Sequence, residues 1–334
     1  MVVNMEQYLP LFFVAVIGFS MLTYIILDGY DLGIGLLLLL ADDEEKDQMI
    51  ASIGPFWDAN ETWIVFGVGV LLIAFPAAYG LVLTSLYVPA TLMLMGLILR
   101  GVSFDFRAKA RTQNRVMWNR LFALGSVVAA TSQGWMLGAY VMGLDNTALG
   151  NSFALGIAVT LPALYIMLGC AWLLMKASGS LYNKAIHWAR WTVFPMGLGI
   201  FLISIATPLV SDVIAAKWFS LPAAIGLLPI PISTMLAYAV IIWVLWHESL
   251  LEQGFAWLIF VGLVVICLMS ALGLAYSIYP DIVINKMTIW DTAASTASLK
   301  FTFVGVALTL PMILIYTIFI YRIFSGKATK LSYE

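Results

Sequence analysis

Trp57-Asp58-Ala59-Asn60-Glu61-Thr62-Trp63 runs without interruption into Ile64-Val65-Phe66-Gly67-Val68-Gly69-Val70-Leu71-Leu72-Ile73-Ala74, so two carboxylates and an amide stand at the mouth of an apolar segment. Such a segment crosses a bilayer as a helix, because a hydrocarbon core roughly 30 Å thick takes about 20 mostly apolar residues. Ionisable groups carried into it are costly unless they face a protein interior, a water-filled path or a counter-charge. The stretch predicts a membrane protein that handles charge.

Outward from it the pattern repeats. The chain is 63% hydrophobic and 10% charged, with a mean hydropathy of +1.00, which excludes a soluble domain. Apolar segments at 8–40, 56–76, 79–100, 120–142, 154–176, 190–210, 225–246, 255–278 and 302–322 predict an all-α integral membrane protein of about nine transmembrane helices, a single polytopic domain over 1–334. The first segment would rise about 50 Å as a helix and is expected to extend past the lipid core. Gly29, Gly33 and Gly35 on that extension would let a neighbouring helix approach closely. Cys170 and Cys267 both fall in apolar segments, so neither a disulfide framework nor a cysteine-rich metal site is expected. The start lacks a basic region and a small-residue cleavage site, so residues 8–27 are expected to remain as the first helix.

Basic residues mark the cytoplasmic face. Nine helices with the N-terminus outside and the C-terminus cytoplasmic place all of the 16 lysines and arginines there except Lys217, Lys286 and Lys300. In that orientation Asp28 and Asp31 close helix 1, Asp58 and Glu61 open helix 2, and Arg100 with Asp105 ends helix 3, with Arg107 beyond. Three helix ends would then share one charged layer. Each acidic pair is spaced by three, which puts its members on one helical face. Like charges held close in a partly dry site, next to an arginine, make groups that can exchange protons. A plainer role is also open to them: Asp58 and Glu61 would favour the N-terminus of helix 2 through its dipole, and Arg100 would anchor helix 3 at the headgroups.

A membrane protein holding several haems needs several axial ligands inside its helical bundle. Only His187 and His247 are available, and both are expected at cytoplasmic helix ends. The 16 methionines read as filler of apolar helices. No phosphate-binding glycine loop, zinc spacing or nucleophile paired with a base is found. No cofactor bound by this chain itself, and no metal, is expected.

Ordered motifs along the whole chain carry a family resemblance. They are Asp28-Gly29-Tyr30-Asp31-Leu32-Gly33-Ile34-Gly35, Ser52-Ile53-Gly54-Pro55-Phe56-Trp57-Asp58-Ala59-Asn60 leading to Trp63, and Phe75-Pro76 with Tyr79. Further on stand Arg100-Gly101-Val102-Ser103-Phe104-Asp105-Phe106-Arg107 and Trp290-Asp291-Thr292-Ala293-Ala294-Ser295. With them the chain resembles subunit II of the cytochrome bd-type quinol oxidases, including the cyanide-insensitive branch.

The resemblance implies a haem-free subunit in a bacterial cytoplasmic (inner) membrane. Its partner would be a larger subunit I carrying b-type haems and haem d, or b-type haems alone, and a small single-helix subunit is a further partner. The complex would oxidise quinol and reduce oxygen to water with protons taken from the cytoplasm. On the same grounds Asp58 would stand at the cytoplasmic mouth of the proton path, with Asn60 and Glu61 as hydrogen-bonding neighbours. Asp28, Asp31, Arg100, Asp105 and Arg107 would form the supporting network, and walls near Trp63 would guide oxygen. Some members hold a structural quinone in a hydrophobic groove, for which this sequence carries no polar signature. The connection at 211–224 is short for the family. Two other classes share some of these features: a proton-coupled secondary transporter, although no inverted repeat is seen, and a structural scaffold for a catalytic neighbour.

Overall fold

A computed structural model describes residues 5–109, 112–210 and 212–328. Arg111 and Lys330, two of the residues used for the orientation, lie outside them. The helices are α1 (Met5–Leu37, continued by a 3-10 turn Leu38–Leu40), α2 (Asp43–Ile53), α3 (Trp57–Ala74), α4 (Pro76–Ser85), α5 (Tyr87–Lys109), α6 (Thr112–Val141), α7 (Ala148–Lys176) and α8 (Ser180–Val210). Then come α9 (Asp212–Phe219), α10 (Ala223–Leu227), α11 (Pro229–Trp246), α12 (Glu248–Glu252), α13 (Trp257–Ile278), α14 (Ile289–Thr292) and α15 (Thr296–Ile323). Among the described residues nine helices are long and apolar enough to cross a membrane, as expected: α1, α3, α5, α6, α7, α8, α11, α13 and α15.

The third crossing departs most from its expected bounds. Phe75 precedes a proline and leaves the helical region (φ −137°, ψ 62°), so α3 stops and Pro76 starts the separate short helix α4. The crossing is then Tyr87–Lys109, and Arg100 lies inside it, not at its end. The helix runs on through Gly101, and the charge of Arg100 is met by acids from other helices. Likewise α8 starts at Ser180, so His187 is helical and not in a preceding loop. The chain also adds a two-stranded antiparallel hairpin, Asp281–Val283 (β1) with Met287–Thr288 (β2), in the register Asp281↔Thr288 and Val283↔Met287.

α1 packs against α3, α6 and α7; α5 lies on α6, α8 on α7, and α11 on α13. The glycines of the Asp28–Gly35 motif allow the closest crossing. A Cβ on Gly33 would fall 1.8 Å from the Tyr165 carbonyl oxygen, and one on Gly169 would meet Gly33 at 2.7 Å. Small residues on both helices let the backbones touch, which is how membrane helices gain packing energy without a hydrophobic drive. α7, enclosed by α1, α6 and α8, is the most buried crossing, with 61% of its central window covered, whereas α15 is the least, with 11%. The Trp290–Ser295 motif is a joint: Thr288 caps α14, Ser295 caps α15, and the Ala294 N–H donates to the Ala74 carbonyl at the end of α3 (2.8 Å).

Candidate functional site

The α1–α7 crossing fixes the rotation of α1, and with it the direction of Asp28 and Asp31 away from α7 glycine contacts toward α3 and α5. Asp28, Asp31 and Asn60 are wholly buried, and Arg100 is 1% exposed. Arg100 reaches across from α5, and its Nη2 donates to both Asp28 Oδ1 and Glu61 Oε1. One turn further along α1, Asp31 Oδ2 accepts from Asn60 Nδ2 (2.8 Å). The Asn60 amide also donates to the Tyr30 hydroxyl (2.8 Å) and lies 3.3 Å from the Leu27 carbonyl. The Tyr321 hydroxyl on α15 donates to Asn60 Oδ1 (2.9 Å) and meets the Tyr30 hydroxyl at 2.6 Å.

The cluster thus holds three acids against one guanidinium in a place with little water to screen them. Breaking such a buried set from one side is destabilising, because it leaves a charge with no partner. Three of its polar atoms, Asp28 Oδ2, Asp31 Oδ1 and Arg100 Nη1, are buried without a partner among the described residues. Native structures pair nearly all such atoms, so three in one cluster single it out. Asp31, Ile53, Trp57, Arg100, Phe104 and Phe122 border a gap beside the cluster that is too tight for a water molecule, with the Trp57 and Phe104 rings 5.2 Å apart.

The structure divides the residues singled out from sequence. Asp28, Asp31, Asn60, Glu61 and Arg100 meet. Asp58 does not join them: it is exposed in the first turn of α3, one turn before the half-buried Glu61. Asp105 is exposed and enters none of the ion pairs among the described residues, so its place in the supporting network is corrected. The helical continuation of α5 turns it to the outside, while Arg107, two residues on, is buried in a second network. There it donates to Asp47 of α2 (2.6 Å) and to Asn119 of α6, with Arg115 at 3.4 Å from Asp47. Trp63 is fully buried, its ring edge-on to Phe19 at 5.6 Å and its indole N–H without an acceptor among the described residues.

Sequence reading missed Tyr30 and Tyr321, and Gln133, which donates to Tyr24 (2.8 Å) and accepts from Tyr165. Tyr30 stood inside the Asp28–Gly35 motif and could have been found there. Tyr321 stands in an apolar helix near the end of the chain and carried no signal. His187 and His247 are both exposed, the first beside Trp191, the second with Nδ1 2.7 Å from the Trp243 carbonyl. Among the described residues no three His, Cys, Asp or Glu side chains gather as metal ligands.

Comparison with known proteins gives one consistent result. The family model for cytochrome bd terminal oxidase subunit II matches residues 9–324. Cytochrome bd-I ubiquinol oxidase subunit 2 of Escherichia coli (strain K12) is 26% identical, over 94% of this chain and 93% of that protein. Cytochrome bd ubiquinol oxidase subunit 2 of Bacillus subtilis (strain 168) is 31% identical over 50% of this chain and 53% of its own length. The solved bd oxidase of Geobacillus thermodenitrificans shares the fold, with a TM-score of 0.77 over 96% of this chain and 99% of that one at 17% identity.

Proposed function

The chain belongs to the cytochrome bd terminal oxidase subunit II family, and from that premise we propose that it supplies protons to the oxygen-reducing centre of its complex while holding no haem itself. It is a multi-pass membrane subunit of a bd-type quinol oxidase and works in a complex with subunit I. The haems belong to subunit I and supply electron transfer and oxygen chemistry there. This chain's own donors do not suit them, because its two histidines are exposed, His187 within α8 and His247 at the end of α11. With the N-terminus outside, the acid cluster lies toward the cytoplasmic face of a bacterial inner membrane, where protons for water formation are drawn.

The observation that carries the proposal is the excess of buried acids over buried bases. Asp28 and Glu61 share the one guanidinium of Arg100. Asp31 has only a neutral amide for a partner, so charge balance makes it the acid that holds a proton between uptake events. Asp58, exposed at the start of α3, collects protons from water, and Glu61 one turn in is the next carboxylate on the same face. Trp63, sealed in protein, is a wall against which oxygen could pass toward the partner; a structural quinone and a small third subunit belong to the same family-based expectation.

Two variants test this in the assembled, haem-complete complex. Asp31→Asn and Asp58→Asn should each lower quinol-dependent oxygen uptake together with proton uptake. Positioned proton carriers contribute typically 100-fold or more, and the buried Asp31 should show the larger loss. Wild-type turnover in both variants would leave the scaffold reading in its place.

A further inference from the structure

Tyr321 is the residue through which α15 hydrogen-bonds to the acid cluster, and counting its protons fixes the direction of every bond. A phenol has one hydrogen to give. Tyr321 gives its own to Asn60 Oδ1 (2.9 Å), so in the 2.6 Å contact between the two phenols Tyr30 is the donor. Tyr30 in turn accepts from Asn60 Nδ2 (2.8 Å). The three side chains close a ring in which each donates to the next. The amide's other N–H faces Asp31 Oδ2 at 2.8 Å, which accepts it as the carbonyl oxygen of a protonated carboxyl or as either oxygen of a carboxylate.

The ring is held by aromatic packing and by the end of the chain. Tyr30 stacks on Trp172 with centroids 4.1 Å apart, and Phe56 packs at 4.7 Å from Tyr321. Lys176 at the end of α7 lies over the Phe56 and Trp172 rings, at 5.2 and 5.1 Å, and donates to the Phe324 and Gly326 carbonyls just past α15. Lys327 returns the contact, donating to the Ala177 carbonyl just past α7 (2.8 Å). Two helix C-termini thus exchange lysine caps, which suits the negative end of each helix dipole. This clasp anchors the least buried crossing where Tyr321 must stay in register with Asn60.

We infer that Tyr321 is a positioning residue for proton transfer at Asp31: it locks the Asn60 amide so that one N–H is always presented to that carboxyl. The inference deepens the proton-supply reading and rests on it. The charged and titratable groups bearing on Asp31 are Asp28 and Tyr30 on its own helix, Glu61 on α3, Arg100 on α5 and Tyr321 on α15.

Tyr321→Phe removes the hydroxyl and keeps the ring. Two readouts on the purified complex decide the matter: the pH profile of turnover, and the Asp31 carboxyl C=O band in infrared difference spectra, assigned by its disappearance in Asp31→Asn. Loss of one such hydrogen bond is worth about a fivefold change in an equilibrium. The substitution should lower turnover near neutral pH by about that factor, move the profile to higher pH and shift the Asp31 band, with no further effect in an Asp31→Asn background. An unmoved band and an unmoved profile overturn the inference. If Asp31→Asn proves silent in turnover, the proton-supply reading fails by itself, and the infrared band alone then decides whether Tyr321 positions Asp31.

Discussion

Arg100 binds two acids through one nitrogen, and this makes it the residue whose loss the site can least absorb. Arg100→Met should destabilise the assembled protein by about 3–5 kcal/mol, read as a fall in the detergent-solubilised thermal transition, because Asp28 and Glu61 are left facing each other. Adding Asp28→Asn and Glu61→Gln to the same chain should restore much of that loss, since removing a whole buried charge set is close to neutral. No recovery in the triple variant would mean that Arg100 acts by shape and not by charge. At this scale the acids and the arginine were legible, because charge in an apolar run is conspicuous. Their division into two networks was not: it depends on α5 running on to Lys109, which turns Asp105 outward and carries Arg107 to Asp47. Tyr321 is hidden for a different reason, since a tyrosine near a membrane helix end is ordinarily an interfacial anchor.

Among the elements, α1 and α7 make the decisive crossing. Gly33→Ala would drive a methyl group into the Tyr165 carbonyl, so the helices must separate, and the variant should assemble poorly or melt markedly earlier than wild type. Gly69→Ala and Gly305→Ala meet nothing within 4 Å and should melt as the wild type does, which makes them controls for the loss of glycine itself. The helix α2 is tied to α8 by Glu45, which accepts from Lys184 (2.7 Å), Ser180 (2.8 Å) and the Asp42 N–H (2.9 Å). Burial pushes the Glu45 carboxyl up, but these donors outweigh it and hold it below the ordinary glutamate range. Glu45 therefore stabilises the fold above the ordinary glutamate pKa, and the contribution is lost as pH falls through its lowered value. Melting curves down the acid range should show Glu45→Gln less stable at neutral pH and flatter toward acid; parallel curves would contradict the assignment. Crossings were readable from apolar length alone, and their ends less so, because α3 stops at a proline whereas α8 continues through charged residues.

For the whole molecule, the enclosed side is built from α1, α3, α5, α6 and α7, and α15 is left with little of its surface covered. The acid cluster sits where these two regions meet: Arg100 comes from the enclosed side and Tyr321 from the exposed helix. On the proposed reading, a proton held at Asp31 would be governed by both regions, as a subunit passing protons to a neighbour requires. Purification through this chain in mild detergent should bring a haem-bearing partner and quinol-dependent oxygen uptake with it, and a colourless chain that binds a solute would favour a transporter. The sharpest test of the account is proton uptake in a single turnover by the haem-complete Asp31→Asn complex, followed with a pH indicator alongside oxygen consumption. The account predicts that uptake slows by about 100-fold with electron input from quinol intact; uptake at the wild-type rate would show that protons reach the oxygen-reducing centre without this chain's acids.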